Sequence, residues 1–314
     1  MKEREWQKID EVGSSLAFFF MYIFLRYLPH FLTVLAAVPV SFFYYISSSR
    51  VRHSLDSFKV HIRKLTGKKI YTYLSVLSFS IALIGKGESW TGRIKPEWLE
   101  FEGDHEEFVR DMESGKGSLL LVSHLGSTEE LRALSESLLE SELGKEREVV
   151  SIADFDVASH FNKMISALNK NAKANVMSIR NMDLGSISYL DDVVKSGGMV
   201  VIAGDRSGGR NIRVPFLGED ASFPLGAFDM PLLLSAPSYF VTLLRKRTFS
   251  FRRRYVVTFK KNSVFKAGYA PRSERRALSE KSALEYARFL EKMTLSSPYQ
   301  WYNFYDFWRK DDND

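Results

Sequence analysis

Cysteine is absent from the chain, which removes disulfides, thiolate nucleophiles and Cys-ligated zinc together and fits a reducing compartment. None of the six histidines belongs to an H-x-x-x-H or H-E-x-x-H pair, so no metal site is expected. The sequence has neither the G-x-S-x-G elbow of serine hydrolases nor the G-x-x-x-x-G-K-[ST] loop that cradles nucleotide phosphates. No apolar run reaches the roughly 20 residues that span a bilayer comfortably. Internal repeats and long low-complexity segments are lacking as well.

What is present is a chain of 314 residues, 45% hydrophobic and 26% charged, enough for one large α/β domain with added helices. The net charge of +6 favours acidic partners: an anionic membrane surface or an acidic carrier protein, with nucleic acid disfavoured because no binding motif accompanies the charge. Two apolar runs open the chain, residues 16–25 and 31–46, separated by Arg26, Pro29 and His30. Acidic residues precede the first run and no small-x-small cleavage site follows, so it does not read as a signal peptide. Basic residues flank the pair on both sides, including Lys2, Arg4, Arg50 and Arg52. Symmetric flanks suggest that both ends stay on the cytoplasmic side of an inner membrane. The reading is a membrane-associated segment over residues 1–50, a broken helix or shallow hairpin, followed by a catalytic domain over residues 51–314. A single spanning helix and a buried helix pair are the alternatives.

Downstream, short apolar runs alternate with helical stretches. Residues 118–122, 149–153, 176–179 and 199–203 read as buried strands. Residues 49–90 read as helical with mixed charge, and further helices are expected over 128–139, 160–168, 184–195 and 279–293. Residues 85–96 (GKGESWTGRIKP) read as a loop, and 239–244 with 255–259 as a hairpin. The pattern predicts a mixed, largely parallel sheet covered by helices on both faces.

His124 stands where the first buried strand ends, the place where α/β folds carry function. Glu129, five residues on, falls in the first turn of the next helix. That carboxylate could fix the imidazole tautomer while the other ring nitrogen takes a proton from a hydroxyl. Helix amides nearby could steady an oxyanion. The bland alternative is a structural histidine beside an ordinary helix-start carboxylate. A second cluster, Asp205-Arg206 through Arg213 and on to Phe216 and Gly218, holds three arginines within eight residues, which could fork onto phosphate or lie idle in solvent. The connector RKRTFSFRRR could bind an anionic surface or simply be solvated, and the aromatic tail WYNFYDFW reads as packing or as an interfacial belt.

Taken in order, REWQKIDEVGSSLAFFF, SHLGSTEELRAL, SHFNKMI (159–165), IAGDRSGG (202–209), VPFLGEDASFPLGAFDMPLLLSAPSYF (214–240) and PYQWYNFYDFWRK (298–310) resemble the bacterial lipid A late acyltransferase family, within the lysophospholipid acyltransferases. The resemblance implies a glycerol-3-phosphate acyltransferase-like fold with a membrane-inserted N-terminus. It implies His124 as general base, Glu129 as its acidic partner, and Asn162, Arg180, Asp205, Arg206, Phe216 and Gly218 on the substrate side, with Pro224 in the same acceptor loop. No cofactor is implied beyond a thioester donor, acyl carrier protein or CoA. Asp205-Arg206 and Phe223-Pro224 stand where lipid A enzymes commonly have Asp-Gln and a threonine. The DR, FLG, FPLG and QWYNFYDFW forms look more like the subgroup accompanying aryl-polyene-type lipid clusters, from which Ser127 after HLG departs, since asparagine is frequent there. The expected activity is transfer of a fatty acyl group to a lipid hydroxyl; an inactive lipid-binding scaffold and a lysophospholipid hydrolase are the alternatives.

Overall fold

The computed structural model describes residues 27–90, 93–127, 147–153, 175–179, 182–206, 209–234, 236–265 and 271–309. The helices expected over 128–139 and 160–168, and the apolar run over 16–25, lie outside them.

The second apolar run forms one continuous helix, α1 (His30–Ser47), which carries Pro39 inside it without breaking. Its end is closed by Arg52, whose guanidinium donates to the carbonyls of Tyr45 and Ile46, the cationic partner that a helix C-terminus favours. Ser48 then caps a short helix α2 (Ser49–His53) by accepting from the Val51 amide. Helix α3 (Asp56–Thr66) follows and stops at Gly67, whose φ of 69° gives the left-handed C-cap.

Helix α4 (Thr72–Trp90) overruns the segment that reads as a loop from residue 85. Gly85, Gly87 and Glu88 are all buried, so tertiary packing overrides the poor helix propensity of glycine there. Glu88, fully buried, meets His30 of α1 at 2.9 Å, Arg253 at 3.4 Å and Arg93 at 3.9 Å. A buried carboxylate among basic groups is the condition under which burial of charge is tolerated.

The remaining chain builds a seven-stranded sheet in the order β1-β9-β8-β2-β5-β3-β4. Its strands are β1 (Leu99–Gly103), β2 (Ser118–Val122), β3 (Val149–Ala153), β4 (Asn175–Ser178), β5 (Met199–Ala203), β8 (Ser238–Arg245) and β9 (Tyr255–Lys261). All neighbours are parallel except the β8–β9 hairpin. The result is a mostly parallel mixed sheet flanked by helices. Helices α5 (His105–Glu113), α6 (Leu184–Lys195), α7 (Leu225–Leu234) and α8 (Arg272–Ser296) complete the domain. The sequence reading misses β1 and two further strands, β6 (Asn211–Phe216) and β7 (Glu219–Pro224), which form a separate hairpin. Its two turn residues, Leu217 and Gly218, both have positive φ, the requirement of a tight two-residue turn.

Strand alternation splits the core between the two faces of the sheet. Leu119 and Leu121 of β2 enter the larger cluster, with Phe216, Phe223, Tyr286 and Trp301. Leu120 and Val122 enter the smaller one, with Phe108, Met112 and Tyr239. The aromatic tail is core: Trp301 is fully buried and stacks on Phe58 at 5.5 Å between centroids. Trp308 stacks on His61 at 4.0 Å and donates through Nε1 to the Phe216 carbonyl.

Truncating Trp301 to alanine should therefore cost about 3–5 kcal/mol of unfolding free energy. Tyr71→Ala, at a site 53% exposed, should stay within about 0.5 kcal/mol. Urea unfolding of the two variants checks both values.

Candidate active site

Strands β2 and β5 are parallel neighbours with Val122 opposite Ala203. Both therefore deliver their next residues to the same edge of the sheet, and two steps further on lie His124 and Asp205. The Gly204 amide donates back to the Val122 carbonyl at 2.9 Å, tying the two strand ends together. Chain connections leave this edge in opposite directions, since β3 lies beyond β5 and β8 on the other side of β2. That is the topological switch at which open α/β sheets place ligands.

The imidazole Nδ1 of His124 lies 2.8 Å from Oδ1 of Asp205, and the His124 amide donates to Oδ2 at 2.5 Å. Asn303 donates a third bond, Nδ2 to Oδ2, at 2.9 Å. Asp205 is fully buried. Burial pushes its carboxyl upward, but the His124 charge and the bonds from the His124 ring, the His124 amide and Asn303 outweigh it and hold the group below its ordinary value. The His124 ring is 33% exposed. With Nδ1 occupied by Asp205, Nε2 is the nitrogen left to exchange a proton.

The C-terminal tail holds this loop. The Gly126 amide donates to the Gln300 carbonyl at 2.8 Å, and the Tyr302 amide to the His124 carbonyl at 3.0 Å. The buried side chain of Gln300 bonds both the amide and the carbonyl of Arg245, extending β8 as a further peptide group would. Gly126 has a φ of 79°, and a Cβ on it would lie 2.1 Å from the Leu243 carbonyl oxygen. Only glycine fits. Tyr286 closes the floor, donating to the Val122 carbonyl at 2.7 Å. Its phenol is pushed well above its usual range by burial and by the Asp205 charge, so it stays neutral.

Several sequence expectations change against this geometry. Asp205, which the sequence reading places only on the substrate side, occupies Nδ1 of His124; Glu129, with Asn162 and Arg180, lies outside the described residues. The helix expected from residue 128, whose amides are the ones expected to steady an oxyanion, lies outside the described residues, and the amides of residues 124–127 just before it are engaged. Each already has an acceptor: Asp205 Oδ2, Ser123 Oγ, the Gln300 carbonyl and the Leu243 carbonyl, respectively. Phe216 is fully buried against Trp301 and Trp308 and does not face solvent. Gly218 serves the β6–β7 turn, and Arg206 is half-buried beside Asp205. Among the described residues no group of three or more His, Asp or Glu side chains could hold a metal.

Sequence reasoning missed Asn303, Gln300 and Tyr305, whose hydroxyl donates to the Asp205 carbonyl at 3.2 Å. A signal for the first two existed: polar amides inside an aromatic run must find partners once buried. No family model matches the chain, and no curated protein matches its sequence.

Asp205→Asn puts an amide where two donors, the His124 N–H and Asn303, already point, and should cost about 1–3 kcal/mol at neutral pH. Because the folded carboxyl titrates below its ordinary 3.8, its contribution is complete above that value and lost as pH falls through the folded value. Urea unfolding from neutral pH down into this acid window should show wild type and Asp205→Asn converging.

Proposed function

We propose that the chain transfers a fatty acyl group from a carrier or CoA thioester to a lipid hydroxyl at a membrane surface, with His124 as general base. The observation that carries this reading is the His124–Asp205 contact, a buried anionic carboxylate on Nδ1 of a ring that still reaches solvent. In such a pair the carboxylate selects the tautomer with its proton on Nδ1, leaving Nε2 as the basic nitrogen, and it stabilises the imidazolium that forms.

In the proposed step Nε2 removes the proton of the acceptor hydroxyl as its oxygen attacks the thioester carbonyl. The tetrahedral oxyanion collapses with cleavage of the C–S bond, and the imidazolium returns its proton to the departing thiolate. The ester and the free carrier thiol are the products. Direct transfer is favoured over a covalent acyl-enzyme because Ser123, adjacent to the base, is 2% exposed with its Oγ accepting the Leu125 amide. The same observation disfavours a serine-dependent hydrolase.

The membrane part of the reading rests on α1. This helix is long and apolar enough to cross a bilayer, and its outer face exposes Phe31, Leu35, Val40, Phe42, Phe43 and Ile46. At 18 residues it measures about 27 Å, close to the ~30 Å of a hydrocarbon core. The seven-stranded sheet is compatible with a glycerol-3-phosphate acyltransferase-like fold. The motif resemblance supports an inner-membrane enzyme facing the cytoplasm, acting on a lipid A-like or aryl-polyene-type acceptor with an acidic acyl carrier protein as donor.

Expression of the wild-type chain should add one acyl mass to a membrane lipid, read by mass spectrometry, and His124→Ala should abolish that species while the protein remains folded. Asp205→Asn should slow transfer by about 10²–10⁴-fold. Transfer by His124→Ala within a few-fold of wild type would remove the mechanism.

A further inference from the structure

The β8–β9 connector, residues 246–254, carries five cations in its sequence, and the fold consumes three of them. Lys246 pairs with Glu100 at 2.6 Å, Arg254 donates to the Glu97 carbonyl at 2.8 Å, and Arg253 reaches the buried Glu88 at 3.4 Å. Arg247 and Arg252 stay exposed, with no carboxylate partner among the described residues. Between them Phe249 and Phe251 stand in solvent, 43% and 57% exposed. Phe249 is braced by Tyr299 at 5.7 Å between ring centroids. Two exposed aromatic rings bracketed by two exposed arginines form the tip.

Beside the tip lies a cleft of about 460 Å³ lined by Lys68, Lys69, Ile70, Thr248, Tyr299 and the 296–298 turn. Among the described residues no acidic side chain lines it. Neither Lys68 nor Lys69 has a carboxylate partner among the described residues, and the Lys69 ammonium rests over the exposed Tyr71 ring at 5.2 Å. Thr248, Ser296 and Ser297 bring hydroxyls to its wall.

We propose that this cleft and the hairpin tip dock onto an anionic bilayer, Lys68 and Lys69 taking the phosphate of a phospholipid headgroup and Phe249 and Phe251 entering the interface. A bilayer supplies both complements at once, phosphate for the cations and an apolar layer for the rings. A cleft, moreover, fits a headgroup better than the convex surface of an acidic protein. Continuity adds a further reason: Glu88, which anchors the hairpin through Arg253, also holds His30 of α1. The hairpin is thereby fixed to the helix with the apolar outer face. The inference rests on the membrane-surface part of the reading above and is independent of the chemistry at His124.

The absence of cysteine permits a single-site probe. The full chain carrying Ser250→Cys, labelled with an environment-sensitive fluorophore, is mixed with vesicles of phosphatidylcholine alone or of phosphatidylcholine with phosphatidylglycerol, and co-sedimentation is followed in parallel. The expected result is a blue shift on the anionic vesicles and none on phosphatidylcholine. The shift should disappear in Lys68→Glu/Lys69→Glu and, with the lysines intact, in Phe249→Ser/Phe251→Ser, all with unchanged melting temperature. A probe that stays water-like while the protein co-sediments overturns the inference and leaves the α1 reading standing; loss of co-sedimentation overturns both. An equal shift on both vesicle types overturns the headgroup assignment. A shift produced by an acidic carrier protein, but not by anionic vesicles, reassigns the surface to that partner and overturns the bilayer proposal.

Discussion

A buried carboxylate must be paid for, and the way Asp205 is satisfied dictates much of what surrounds it. Its two oxygens accept from the His124 ring, the His124 amide and Asn303, three donors contributed by two distant stretches of chain. Each lowers the cost of keeping the charge in a dry site. Together they make the carboxylate permanently anionic near neutrality, which is the property a histidine base needs from its partner. The β2 loop, the β5 loop and the C-terminal tail are thus held by one group, and displacement of any of them leaves a buried charge under-solvated.

Register converts this local chemistry into geometry. Because β2 and β5 are parallel and paired Val122 to Ala203, a two-residue overhang on each strand suffices to bring His124 and Asp205 together, although 81 residues separate them. The tail then behaves as an extra edge segment, with Leu125 and Gly126 bridging to Trp301 and Leu243. The aromatic side chains of the tail fill the core below while its amides address the loop above. One segment therefore serves both packing and the site.

A second buried charge, Glu88, plays a comparable part at the far end of α4. It joins α1, the segment after α4 and the β8–β9 connector. The apolar helix is tethered to the seven-stranded sheet through an ionic cluster, with only a narrow face of α1 (His30, Thr33, Val34, Ala37 and Ser41) buried. The rest of that helix exposes apolar side chains, Phe31, Leu35, Val40, Phe42, Phe43 and Ile46 among them. The arginines of the connector divide between this tether and the surface, a split that counting charges in the sequence could not make.

Residue pattern alone determined the strands whose apolar runs are continuous, β2, β3 and β5, and the helix α6, because burial on both faces or along one stripe leaves a periodic trace in the chain. It also placed His124 at a strand end and ruled out cysteine chemistry. It failed at 85–90, where packing holds glycines in a helix, and at β6 and β7, whose polar and charged residues carry no clear alternation. It nominated Glu129, five residues away and outside the described residues, and gave no sign that Asp205 occupies Nδ1 of His124. Local spacing can only nominate neighbours along the chain, whereas strand register and the docking of the tail choose neighbours in space. That choice, Asp205 with Asn303 behind it, was made by tertiary structure alone, because satisfying a buried charge requires donors whose separation in sequence leaves no periodic signature.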